Sequence, residues 1–158
     1  ITGLVACQQM VGPWQVPVSD VAVMHHDYDG YTGEAFSVGE RSPLAKIKPA
    51  AAARMAIAES LTNLVSADCD SLDRVVFSAN WMAASGSNIE DQALFDSVKA
   101  IGEDLCPELG MAIPVGKDSL SMRTTWREEE KESDRSWFSL LRERWDIVVI
   151  CILKLLLF

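Results

Sequence analysis

The chain is poor in the residue types that most catalytic and metal-binding motifs require. Of 158 residues, only two are histidine and four are cysteine. The histidines, His25 and His26, are adjacent. Neighbours on a strand point to opposite faces, so one metal shared by both is awkward. With no further histidine, neither a Ser–His–Asp nor a Cys–His nucleophile system can be argued from spacing. Cys7, Cys69, Cys106 and Cys151 stand far apart and form no C-x-x-C pair. That excludes a zinc knuckle or a thioredoxin-like motif and leaves buried free thiols in a reducing compartment as the reading. Basic residues are scarce as well. Fourteen Lys and Arg face 23 Asp and Glu, a formal charge of −9. A chain this acidic is not built to grip a phosphate backbone, so no nucleic-acid partner is expected. A bound nucleotide would need metal ions and backbone N–H groups to manage its charge. No apolar run reaches the ~20 residues that span a bilayer, so a membrane is not expected as a partner. The N-terminus lacks the basic-then-apolar pattern of a signal peptide. It begins at Ile1, not Met, and the chain is expected to be a piece of something longer.

What is present suffices for a core. Apolar residues make up 49% and charged residues 23%, close to globular averages. The length fits one domain, or one domain with an appendage. There is no internal repeat. Val18 to Met24 alternates loosely and predicts a strand after the turn-rich Gly12-Pro13-Trp14-Gln15-Val16-Pro17 segment. Residues 25–49, punctuated by glycine and proline, read as a long loop with short ordered pieces. Pro49 opens the clearest helix, Ala50 to Val65. Arg74 to Ala79 reads as a buried strand. Asn88 is the candidate N-cap of a helix whose stripe is Leu94, Val98, Ile101 and Leu105, ended by Pro107. Met111 to Val115 reads as a short strand, with Gly116 opening a loop. Strands alternating with helices predict a mixed α and β fold.

Composition changes near residue 126. Residues 127–135 are almost all charged and read as a solvated linker or exposed helix face. Trp137 to Trp145 could continue as an amphipathic helix. Ile147 to Phe158 is apolar except for Lys154 and leaves three readings open: a core strand, an interfacial anchor, or a foreign tail. Trp14, Trp81 and Trp126 are read as core or loop anchors, not stacking platforms.

Two constellations carry chemistry. Glu59 and Asn63 are four apart on the clear helix, so both oxygen-bearing side chains share one face. With Asp20 on the early strand they make two carboxylates and an amide oxygen, ligand types that magnesium accepts. Gly116-Lys117-Asp118-Ser119 invites a phosphate-loop reading, but the G-x-x-x-x-G-K-[ST] motif fails twice. Gly110 is one residue too far, and Asp118 holds the hydroxyl position. A glycine turn offering N–H groups and a lysine to a phosphate remains physically reasonable.

Further stretches carry a resemblance. Gly3-Leu4-Val5-Ala6, Val11 to Asp20, Gly39-Glu40-Arg41, Ala58-Glu59-Ser60-Leu61-Thr62-Asn63-Leu64, Ser78-Ala79-Asn80-Trp81-Met82-Ala83-Ala84 and Pro114 to Met122 resemble the large, single-chain phosphoribosylformylglycinamidine synthases of purine biosynthesis. They follow the family's order with comparable spacing over roughly residues 1–128. The resemblance implies an α+β fold, a mixed sheet packed by helices, like the N-terminal domain of aminoimidazole ribonucleotide synthetase but incomplete. It places the chain in the N-terminal subdomain of the second synthetase half, whose sheet pairs with its counterpart in a barrel-like core. It implies a cytoplasmic ligase that couples glutamine hydrolysis to ATP-dependent amidation of formylglycinamide ribonucleotide. Asp20, Glu59 and Asn63 match magnesium ligands of a site holding a structural ATP or ADP, and Ser19 matches a position touching that nucleotide. Asn80-Trp81-Met82 and the Gly116, Lys117 and Ser119 segment would face substrate, with Ser119 on its phosphate.

The departures set further expectations. The glutaminase domain, the first synthetase half with its catalytic histidine, and a later aspartate that supplies another magnesium ligand have no counterpart in these residues. The partners implied are therefore the remaining synthetase and glutaminase domains, and the chain alone is expected to be inactive. Residues 1–128 are expected to form the synthetase-like domain, and residues 129–158 a charged linker and an apolar tail of unknown origin. The alternatives are a non-catalytic magnesium- and nucleotide-binding module, or an unstable truncated product with a membrane-associating tail.

Overall fold

The structure, a computed structural model, describes residues 3–6, 8–69 and 71–121, and the backbone of residues 146–156. It is an α+β fold: a five-stranded sheet packed by helices. In chain order the elements are β1 (Val21–His25), β2 (Thr32–Glu40), the single turn α1 (Ser42–Ala45), α2 (Pro49–Leu64), β3 (Val75–Met82), α3 (Asn88–Lys99), a π-helical segment (Ala100–Leu105), α4 (Cys106–Leu109), β4 (Val115–Ser119) and β5 (Asp146–Leu156). The sheet order is β1-β2-β5-β3-β4. All neighbours are antiparallel except β3 and β4, which run parallel with Ser78 beside Val115 and Met82 beside Ser119.

The apolar tail takes the strand among its three open readings. Its backbone lies between β2 and β3, with Thr32 beside Leu156, Glu40 beside Val148 and Met82 beside Asp146. The expected charged linker over 127–135 and the helix over 137–145 lie outside the described residues.

The segment expected as a long loop contains β2, nine residues long. Gly39 is there for packing. Gly33, Ala35, Ser37 and Gly39 alternate with larger residues, and all four are buried. The facing helix α2 answers with Ala52, Ala53, Ala56, Ile57, Ser60 and Leu64, buried at helical spacing. Small residues on both sides bring the backbones together. A Cβ at Gly39 would sit 2.0 Å from the Ala56 carbonyl oxygen and 2.7 Å from the Ser60 nitrogen. Ser37 Oγ donates to the Ser60 carbonyl at 2.6 Å, and Ser60 Oγ donates to that of Ile57 at 2.8 Å, so both buried hydroxyls are satisfied.

Other boundaries move for local reasons. The first strand starts at Val21, not Val18; Val18 only bridges Met10. Ser87, not Asn88, is the N-cap of α3: its backbone is extended and its hydroxyl accepts from the Glu90 N–H at 3.3 Å. Pro107 does not end the helix. It stands in the first turn of α4, where a missing N–H costs little, and Gly110 at φ 68° closes the run. The expected stripe is interrupted too. Ile101 is buried, but Val98 is 43% exposed; Ser97, Ala100 and Ile101, at regular helical spacing, make the buried face instead. Residues 111–114 are not a strand; β4 begins only after Pro114. Cys69 and Cys106 are free thiols, the latter buried. Among the described residues, no helix is long and apolar enough to cross a membrane.

Candidate functional site

Close packing of α2 on β2 fixes where Glu59 and Asn63 point. Both sit on the side of α2 beside the end of β2. Glu59 Oε2 accepts from the Glu40 backbone N–H at 2.8 Å, and Glu59 Oε1 pairs with Arg41 Nη1 at 2.9 Å. One turn later, Asn63 Nδ2 donates to the Val38 carbonyl at 3.0 Å. That bond uses the amide nitrogen and leaves Oδ1 to accept from, or coordinate, something else. Val21 pairs with Ser37, so Asp20, one residue earlier, lies at the Val38 end of β2. Asp20 is exposed, and Ser19 beside it donates its hydroxyl to the Val21 carbonyl at 2.8 Å. The structure thus brings Ser19, Asp20, Glu59 and Asn63 to the same end of the β1–β2 ribbon.

The donor set is all oxygen, which suits a hard divalent cation such as magnesium. Its charge is limited. Among the described residues no three of His, Cys, Asp and Glu gather closely enough to hold a metal ion. Asp20 and Glu59 supply two carboxylates, and the third ligand would be a neutral amide. Arg41 is a participant that sequence reasoning named only inside the Gly39-Glu40-Arg41 stretch, without a role. No spacing rule relates it to Glu59; only the fold brings residues 18 positions apart into contact.

The second constellation is on the opposite edge. Gly116, Lys117 and Ser119 lie on β4, where Gly116 was expected to open a loop. Lys117 is exposed, and its Nζ donates to Ser119 Oγ at 2.7 Å, so residues two apart on one strand share a face. Lys117 stands beside Asn80 of β3. On β3, Val75, Phe77, Ala79 and Trp81 are buried, while Val76, Ser78, Asn80 and Met82 alternate on the other face. Trp81 is therefore a core residue and does not share a face with Asn80 and Met82. Trp14, expected as an anchor, is 85% exposed, and Trp126 lies outside the described residues.

A cleft of about 250 Å³ lies elsewhere, between Gly3, Leu4, His25 and the Asp27–Tyr31 turn. None of the expected site residues lines it. Asp27 Oδ1 is committed there to the backbone N–H groups of Asp29 and Gly30. His26 bonds Thr32 Oγ1 through Nδ1 and approaches Glu34 at 3.7 Å, a surface polar cluster rather than a metal site.

A mixed sheet in the order β1-β2-β5-β3-β4, packed by helices, is the architecture of a PurM-type N-terminal domain. Residues 1–141 match the family model described as FGAR-AT PurM_N-like domain, and the chain belongs to that family. Solved structures share the fold. PurLQS from Thermotoga maritima matches with a TM-score of 0.60 at 19% identity, covering 87% of this chain and 20% of that one. Thermotoga maritima PurL complexed with ATP matches with 0.60 at 18%, covering 86% and 20%. The same protein complexed with FGAR matches with 0.53 at 15%, covering 86% and 19%. The chain thus spans about a fifth of the length of the solved proteins it matches.

Proposed function

We propose that this chain is the nucleotide- and metal-holding part of a formylglycinamide ribonucleotide amidotransferase, an ATP-dependent ligase of purine biosynthesis that takes its amide nitrogen from glutamine. The observation that carries the reading is the convergence of Glu59 and Asn63 from α2 on the end of β2, with Ser19 and Asp20 arriving from β1. The family match and the ATP- and FGAR-bound relatives support the ligand class.

In this reading Asp20, Glu59 and Asn63 would hold magnesium, which neutralises nucleotide phosphate charge in a chain that is itself acidic. Ser19 offers its hydroxyl oxygen to the nucleotide, and β2 fixes Glu59 and Asn63 in place through the Glu40 N–H and the Val38 carbonyl. Lys117 and Ser119, with the Gly116 backbone close by, form a cation–hydroxyl pair suited to a substrate phosphate. In the cytoplasm the remaining synthetase and glutaminase domains would supply the reacting groups, so this chain binds and positions without turnover of its own. Residues 1–128, completed by β5 at the centre of the sheet, form the synthetase-like unit.

Calorimetric titration with ADP tests the reading. Saturable binding that requires magnesium and weakens at least tenfold in Asn63→Ala is expected. Binding indifferent to magnesium, or unchanged in that variant, would contradict it.

A further inference from the structure

The Glu59 carboxylate already has a cation beside it. Arg41 Nη1 contacts Oε1 at 2.9 Å, while Oε2 is taken by the Glu40 N–H. Oε1 is the oxygen held by a movable side chain and not by backbone, so it is the one whose partner can be exchanged for a metal. Arg41 is not locked there: its side chain is 38% exposed, and its other bond from Nη1, to the Glu40 carbonyl, is long at 3.3 Å. Glu59 is more confined, at 24% exposure. In an exchange, the arginine moves and the glutamate stays.

We propose that Arg41 is a resident counter-ion that gives up Glu59 Oε1 to a divalent cation and then binds the phosphate of the incoming nucleotide. The inference rests on the reading of Asp20, Glu59 and Asn63 as the metal site. Guanidinium and metal cannot both occupy one carboxylate oxygen at contact distance without strong mutual repulsion. Displaced, Arg41 carries five donors in a planar fork suited to phosphate oxygens. Metal binding and nucleotide binding then favour one another through Arg41, and the coupling is reciprocal. Arg41 keeps the half-buried carboxylate paired, so Glu59 carries no uncompensated charge.

The test uses the full chain and three titrations by calorimetry: magnesium alone, ADP alone, and ADP in saturating magnesium. Arg41→Gln removes the competing charge and is expected to bind magnesium alone about fourfold or more tightly than the parent. It should also lose most of the gain in ADP affinity that magnesium gives the parent. Arg41→Lys keeps a charge but not the fork, and should restore the parent's magnesium affinity without restoring the full ADP gain. Unchanged magnesium affinity in Arg41→Gln, or an undiminished ADP gain, would overturn the proposal while leaving the metal site standing. Magnesium binding that survives Glu59→Gln, or none in parent and Arg41→Gln alike, would overturn the site reading and this inference with it. Thermal melts matching the parent's show that the variants are folded.

Discussion

Replacing Gly39 with alanine tests the packing that builds the candidate site. The added Cβ would lie 2.0 Å from the Ala56 carbonyl oxygen and 2.7 Å from the Ser60 nitrogen. Ordinary contact begins near 3.4 Å, so strand and helix must part by more than 1 Å. Both neighbours are backbone, which cannot rotate away. Three hydrogen bonds cross this contact: Ser37 to Ser60, the Glu40 N–H to Glu59, and Asn63 to Val38. Overpacking alone costs ~1–3 kcal/mol. Weakening bonds worth ~1 kcal/mol each raises the loss to about 3–5 kcal/mol. The opposing gain from a stiffer unfolded chain is only about 0.4–1 kcal/mol, so destabilisation wins. Urea unfolding followed by circular dichroism should show the midpoint falling by ~1 M or more. Gly116→Ala is the control: its nearest neighbour would be the Ala79 carbonyl at 3.9 Å, and the expected change is within ~0.5 kcal/mol. An unchanged or raised midpoint in Gly39→Ala would refute the argument that glycine is needed for the approach of α2.

Further outcomes follow from single contacts. Glu59→Ala removes a carboxylate that bonds both the Glu40 N–H and Arg41; magnesium-dependent ADP binding should fall at least tenfold in calorimetry with the circular dichroism spectrum retained. Ser87→Ala removes the α3 N-cap and should cost ~1 kcal/mol by urea unfolding. Burial pushes the Cys106 thiol above its usual value of 9.0, so the unfolded chain loses that proton first. The native state's advantage is complete below pH 9.0 and shrinks as pH rises through the native value; Cys106→Ala should flatten this alkaline fall in unfolding experiments.

The legible part of the fold was what composition and periodicity mark strongly. Pro49 and the alanine-rich run located α2, and the β-branched Val75 and Val76 located β3. β2 was hidden because Gly33, Ala35, Ser37 and Gly39 resemble a loop until a partner helix is known to press against them. The buried face of α3 was hidden because Ser97 and Ala100, which line it with Ile101, are too small or polar to stand out as an apolar stripe. β5 could not be assigned because a short apolar run is shared by strands, anchors and foreign tails, and only pairing with β2 and β3 separates them. At the candidate site, spacing put Glu59 and Asn63 on one face, and their bonds to Glu40 and Val38 agree with that geometry. Spacing had no means of linking Arg41 to Glu59, because that contact depends on how the β2 end meets α2.

The most direct measurement is an amide-resolved NMR titration of the isotope-labelled chain with ADP and a trace of manganese, a paramagnetic stand-in for magnesium. The account predicts broadening centred on Asp20, on residues 38–41, and on Glu59 and Asn63, reversed by excess magnesium. Broadening centred instead on the Asp27–Tyr31 turn, or none at Glu59 and Asn63, would contradict the assignment of the metal and nucleotide site.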